Sequence, residues 1–156
     1  MANDFNINEI LEMAEQIERN GAKFYRGAAK NVKDKSHNGL LLELAEMEDQ
    51  HEKTFAALRA ELTEDERKST VYDPEDEMPL YLQALADTRV FYEKTVDTTS
   101  IKEILKEAIT AEKDSIVFYL GMKELVPKRL GQGKMDIIIK EEMSHIRLLA
   151  GKLTAL

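Results

Sequence analysis

The 156-residue chain contains no cysteine. That excludes disulfides, iron–sulfur clusters and thiolate-bound zinc or iron on this chain. Tryptophan is absent too, and there are only three prolines and seven glycines. So few turn formers argue against a many-stranded sandwich or barrel. No apolar run approaches the roughly 20 residues that a membrane-spanning helix needs. The start, Met1-Ala2-Asn3-Asp4-Phe5-Asn6, has neither the basic flank nor the apolar run of a secretory signal. Basic residues are scattered and the net charge is −8, so no phosphate-binding patch is expected. These absences predict a cytoplasmic protein that binds neither nucleic acid nor membrane.

Apolar residues make up 43% of the chain, enough to build a core. They recur at helical spacing almost throughout. The first stripe is Ile7, Ile10, Leu11, Ala14, Ile17, Gly21, Phe24 and Tyr25, with Asn6 or Asn8 as cap and an end near Asn31. The second is Leu40, Leu41, Leu44, Met47, Glu48, His51, Phe55 and Leu58, in a helix from about His37 to Leu62 with Ser36 as candidate cap. Residues 63–77 are acidic and aperiodic, and read as a surface connection. Pro79 suits the first turn of a short helix over 80–94. Ser100-x-x-Glu103 is a capping box for a helix that carries Ile101, Ile104, Leu105, Ala108, Glu112, Phe118 and Tyr119 and stops before Pro127. Gly131 and Gly133 mark a turn before a last helix over about 135–153. The expected fold is all-α: a single domain over 1–156, with hairpins 7–62 and 100–154 and a long crossover holding an extra short helix. One long crossover is the ferritin-like form of the four-helix bundle.

The two hairpins repeat each other at an offset of 94 positions without a gap. Ile10, Leu11 and Ala14 fall on Ile104, Leu105 and Ala108; Phe24 and Tyr25 fall on Phe118 and Tyr119. Glu18 falls on Glu112, Glu48 on Glu142 and His51 on His145. Each Glu-x-x-His pair sits on one helix face, and Glu18 and Glu112 each lie 30 residues before their motif glutamate. Antiparallel packing therefore brings four glutamates and two histidines to one depth. Four buried carboxylates repel and desolvate one another unless compensated, and two divalent cations balance them. An oxygen-rich site with one imidazole per metal suits iron or manganese, and zinc can occupy it. Two glutamates plus two Glu-x-x-His motifs is the general ligand pattern of di-iron and di-manganese carboxylate bundles.

Other residues have plainer readings. His37, without a repeat partner, reads as a capping or surface residue. Tyr25 and Tyr119 lie two turns from Glu18 and Glu112. They read as core aromatics with satisfied hydroxyls or as hydrogen-bond donors to ligand carboxylates. Gly21 reads as a site of close helix packing or as room for an oxidant. Glu15, whose repeat mate is Ile109, reads as a rim or surface residue, and Glu141 as pointing away from the site.

The stretches Ile17–Tyr25, Glu46–His51, Ala111–Tyr119 and Glu141–His145 resemble the rubrerythrins of the ferritin-like superfamily. The resemblance covers nearly all but the crossover. It implies Glu18 and Glu112 as terminal or bridging carboxylates, Glu48 and Glu142 as the carboxylates of the paired motifs, and His51 and His145 as ligands of one iron each. Those six residues would form the catalytic site, reducing hydrogen peroxide or dioxygen at two irons, and a homodimer is expected. Two features depart from the family. Four rubredoxin cysteines are missing, so a separate electron-donor protein is expected. The further glutamate that the family carries three residues after the third-helix ligand is here Ser115, whose repeat mate is Gly21. Family-type exchange of a carboxylate and a histidine at one iron therefore lacks its residue. Two alternatives remain, a ferroxidase or iron-storage subunit and a metal-free helical interaction module.

Overall fold

A computed structural model describes residues 6–68, 77, 80–82, 84, 99–130 and 132–156. Among them every regular element is helical: α1 (Ile7–Ala29), α2 (Lys35–Ala60), α3 (Glu64–Lys68), α4 (Ile101–Lys123), a 3-10 turn (Lys128–Leu130) and α5 (Gln132–Thr154).

Local chemistry sets the helix starts. Asn6 accepts from the Glu9 amide at 2.9 Å while Glu9 accepts from the Asn6 amide at 3.1 Å, a reciprocal capping box. Helix α2 starts two residues earlier than its spacing predicts. Asp34, not Ser36, accepts from the His37 amide at 2.9 Å, and its charge also suits the positive end of the helix dipole. The His37 ring stands 3.2 Å from the same carboxylate, so this histidine belongs to the cap. Ser36 instead accepts from Lys152 at 2.6 Å. The Asn38 amide group donates to Ala29 O at 2.7 Å and so closes the end of α1 across the turn. Ser100 caps α4 by accepting from the Glu103 amide at 3.3 Å.

The connection after α2 is not wholly irregular. Thr63 and Glu66 form a second reciprocal capping box, at 2.8 and 3.1 Å, that opens the five-residue α3. Five residues, little more than one turn, are too few to show a period. Pro79 and most of 80–94 lie outside the described residues; Glu77, Leu80, Tyr81, Leu82 and Ala84 are helical, and Leu82 is buried. At the other hairpin, Gly133 lies within α5, which begins before the predicted turn ends.

The long helices run between two apolar layers. One contains Ile10, Leu11, Phe55, Leu58, Phe118, Met122, Met135 and Ile138; the other contains Ala28, Leu41, Leu44, Ile104, Leu105 and Leu149. Helices α1 and α5 pass from the first layer to the second, and α2 and α4 pass from the second to the first. The chain thus leaves α2 at one end of the bundle and enters α4 at the other. That is the ferritin-like connectivity with one long crossover. None of the helices described is long and apolar enough to cross a membrane.

Candidate metal centre

Every long helix contributes a buried polar residue where it crosses between the apolar layers. Glu18 lies on α1, Glu48 and His51 on α2, Glu112 on α4, and Glu142 and His145 on α5; none is more than 4% exposed. The structure brings all six together. They form two overlapping groups whose donor atoms lie within 4.8 Å of one another: Glu18, Glu48, His51 and Glu142, and Glu48, Glu112, Glu142 and His145. Glu48 and Glu142 belong to both groups, while Glu18 and Glu112 belong to one each. Each group therefore holds one imidazole, one carboxylate of its own and two shared carboxylates. The two imidazole rings are stacked with centroids 5.9 Å apart.

The inner donor atoms face each other without partners. Glu18 Oε2, Glu48 Oε1, both oxygens of Glu142 and His51 Nδ1 are buried and lack a hydrogen bond among the described residues. His51 Nδ1 lies 2.7 Å from Glu142 Oε1 and 3.5 Å from Glu18 Oε2. His145 Nδ1 lies 3.1 Å from Glu142 Oε2, 3.3 Å from Glu112 Oε1 and 3.5 Å from Glu48 Oε1. Buried polar atoms are normally satisfied, so a cluster of convergent, unsatisfied acceptors calls for cations. Four carboxylates and two imidazoles fit two divalent metals in charge and in donor type.

Electrostatics agree with that fit. Burial, then the charge of Glu142, raises Glu18 above the ordinary carboxylate range. Burial and the neighbouring carboxylates push Glu48 and Glu142 well above it. Burial acts on Glu112 in the same sense, but contacts with Glu142, His145 and the Tyr25 hydroxyl outweigh it and hold this group low. Burial lowers both histidines, yet the facing carboxylates overcome it and push each up to about 12. A metal entering here therefore displaces protons.

Three features outside the six residues shape the site. The Tyr25 hydroxyl donates to Glu112 Oε1 at 2.5 Å and the Tyr119 hydroxyl donates to Glu18 Oε1, so each tyrosine holds a carboxylate of the other hairpin. A Cβ on Gly21 would stand 2.8 Å from Glu48 Oε2 and 3.3 Å from its Cδ. This glycine makes room for a shared carboxylate. Glu15 is buried, not on the rim, because Arg59 reaches it from α2 with Nε 2.7 Å from Oε2. That partner lies 44 residues away, beyond any local pattern.

Glu141 does not point away from the site. Its Oε2 lies 2.6 Å from His51 Nε2, on the outer side of that ring. Adjacent helix residues are about 100° apart, and a glutamate side chain is long enough to swing back over the neighbouring face.

With this geometry in hand, the sequence matches the rubrerythrin family over residues 9–153. The chain belongs to the rubrerythrin family. No curated protein matches the sequence. Among solved structures, the chain is similar to a Thermotoga maritima protein described as a ferritin-like diiron-carboxylate protein. The two are 24% identical, with 99% of this chain and 98% of that chain covered and a TM-score of 0.74, a likeness of fold. Family membership and fold thus accompany a buried Glu/His cluster whose two overlapping groups could each hold a metal ion.

Proposed function

We propose that the chain is a di-iron oxidoreductase that reduces hydrogen peroxide or dioxygen with electrons from a separate donor protein. The observation that carries this reading is the pair of overlapping ligand groups joined through Glu48 and Glu142. Glu18, Glu48, His51 and Glu142 would hold one iron, and Glu48, Glu112, Glu142 and His145 the other. Two bound Fe(II) supply the two electrons that, with two protons, reduce one peroxide to two waters and leave two Fe(III).

The chain's own residues do the rest. Glu48 and Glu142 belong to both ligand groups, so each would serve both metal positions. Gly21 leaves room beside α1 for the Glu48 carboxylate, which a Cβ there would crowd. Tyr25 and Tyr119 orient the unshared carboxylates through their hydroxyls. The apolar layers above and below would keep bulk water from the site. A homodimer is part of this proposal; the apolar side chains Ile137 and Leu148, exposed on one face of α5, suit such a contact.

The test is anaerobic oxidation of the Fe(II)-loaded protein by measured additions of peroxide, followed by absorbance. The expected end point is one peroxide per two irons, with renewed turnover when a reducing protein is supplied. Oxidation by peroxide no faster than that of free Fe(II) contradicts the oxidoreductase reading. Uptake of iron far beyond the two positions on a cage-sized particle replaces it with storage.

A further inference from the structure

The inner ligand set is symmetric under the hairpin repeat, but the outer sides of the two histidines are not. His51 Nε2 meets the Glu141 carboxylate at 2.6 Å, whereas His145 Nε2 meets the Met47 thioether at 3.3 Å. Met47 and Glu141 occupy the same position of the repeat, each directly before its motif glutamate. Each residue reaches across to the histidine of the other hairpin. The contact is therefore conserved in geometry and opposite in chemistry.

A carboxylate accepts, so the Glu141 contact keeps the hydrogen of His51 on Nε2, and it is the Nδ1 proton that an incoming metal would displace to reach the ring's lone pair. A charge-assisted bond of this kind fixes the tautomer, holds the ring and strengthens donation from the inner nitrogen. A thioether sulfur is a weak acceptor and gives His145 little of either. Glu141 is 41% exposed at its side chain, while the His51 ring that it meets is 4% exposed.

We propose that Glu141 and Met47 make the two metal positions inequivalent: the position served by His51 fills first and holds its ion more tightly than the position served by His145. Glu141 is a positioning residue, acting through His51. The inference rests on the two-metal reading above, and it adds an order of filling and a residue pair that sets it.

The test is calorimetric titration of the metal-free chain with Co(II), followed in parallel by visible absorption. Repulsion between two divalent ions separates the binding steps even in a symmetric site, so the diagnostic is how substitutions move them. Glu141→Met gives both histidines the same outer neighbour. It is expected to weaken the first step by about 10- to 100-fold, the usual effect of removing such a partner, and to leave the second nearly unmoved. Met47→Glu is expected to tighten the second step and bring the two together. Position 141 is half-exposed on a helix, so the variant keeps its fold, which circular dichroism checks. Two binding steps that stay in place in both variants overturn the inference and leave the two-metal site standing, as does an equal loss at both steps. Absence of any Co(II) binding in the parent chain overturns the two-metal reading itself.

Discussion

The two hairpins are alike where they face the metals and unlike one layer further out. Glu18, Tyr25, Glu48 and His51 match Glu112, Tyr119, Glu142 and His145, and all eight are buried in one cluster. Around them the repeat breaks: Gly21 against Ser115, Met47 against Glu141, Glu15 against Ile109. Charge balance in a dry core allows little variation in the inner set, because one missing carboxylate leaves a cation or a proton uncompensated. The outer residues answer only to local packing, so they can diverge and give the halves different properties.

The largest predicted effect separates shared from unshared carboxylates. Glu142→Ala removes a ligand common to both positions and is expected to abolish uptake of both metals. Glu112→Ala removes a ligand of one position and is expected to leave one metal per chain. Metal analysis after gel filtration distinguishes them; an equal stoichiometry in the two variants breaks the assignment of Glu142 as shared.

The next comparison sets Gly21 against Ser115. Gly21→Ala places a methyl against Glu48 Oε2, and the metal affinity is expected to fall about tenfold or more. The same change removes a helix-interior glycine, worth about 1 kcal/mol, but displaces the buried Glu48 side chain, so the stability of the metal-free protein is expected to change little. Ser115 Oγ bonds Ala111 O of its own helix, so Ser115→Ala should leave metal affinity unchanged. Competition with a chelator and thermal melts read the two effects separately.

The histidines set a pH dependence. In the folded metal-free chain each is raised from 6.5 to about 12 by the facing carboxylates. Their contribution to stability is thus complete below about pH 6.5 and is lost as pH rises toward 12. Glu18, Glu48 and Glu142, raised above 4.5, act in the same direction from lower pH. The melting temperature of the metal-free protein is therefore expected to fall between pH 6.5 and 9 by roughly 5 °C or more, and bound metal should suppress the fall. A flat or rising profile contradicts this picture of the site.

The last comparison tests the matched tyrosines. Tyr25→Phe and Tyr119→Phe each remove a buried donor to a carboxylate and are expected to cost the metal-free protein about 1.5–3 kcal/mol in denaturant melts. The repeat predicts similar costs. A difference larger than that range shows that asymmetry extends to the unshared carboxylates.

The inner layer was legible in the sequence because its signal is redundant. A single Glu-x-x-His is easily accidental, but two at one offset, each with a glutamate 30 residues before it, define depth and face together. The helix caps at Asn6 and Ser100 were legible from local chemistry. The outer layer was not. The burial of Glu15 depends on Arg59 on another helix, and the role of Gly21 depends on where Glu48 turns its carboxylate. Helix spacing points Glu141 outward because its neighbour Glu142 faces the centre, and spacing does not show a long side chain reaching back to His51. The five-residue α3 spans little more than one turn, too short for a helical period to repeat in its sequence.

The most direct test of the central claim is the amount of iron bound per chain after anaerobic loading with Fe(II), oxidation in air and gel filtration. Two overlapping ligand groups predict two irons per chain on a small oligomer. A chain that elutes without iron contradicts the claim, because six convergent ligands would then hold no metal.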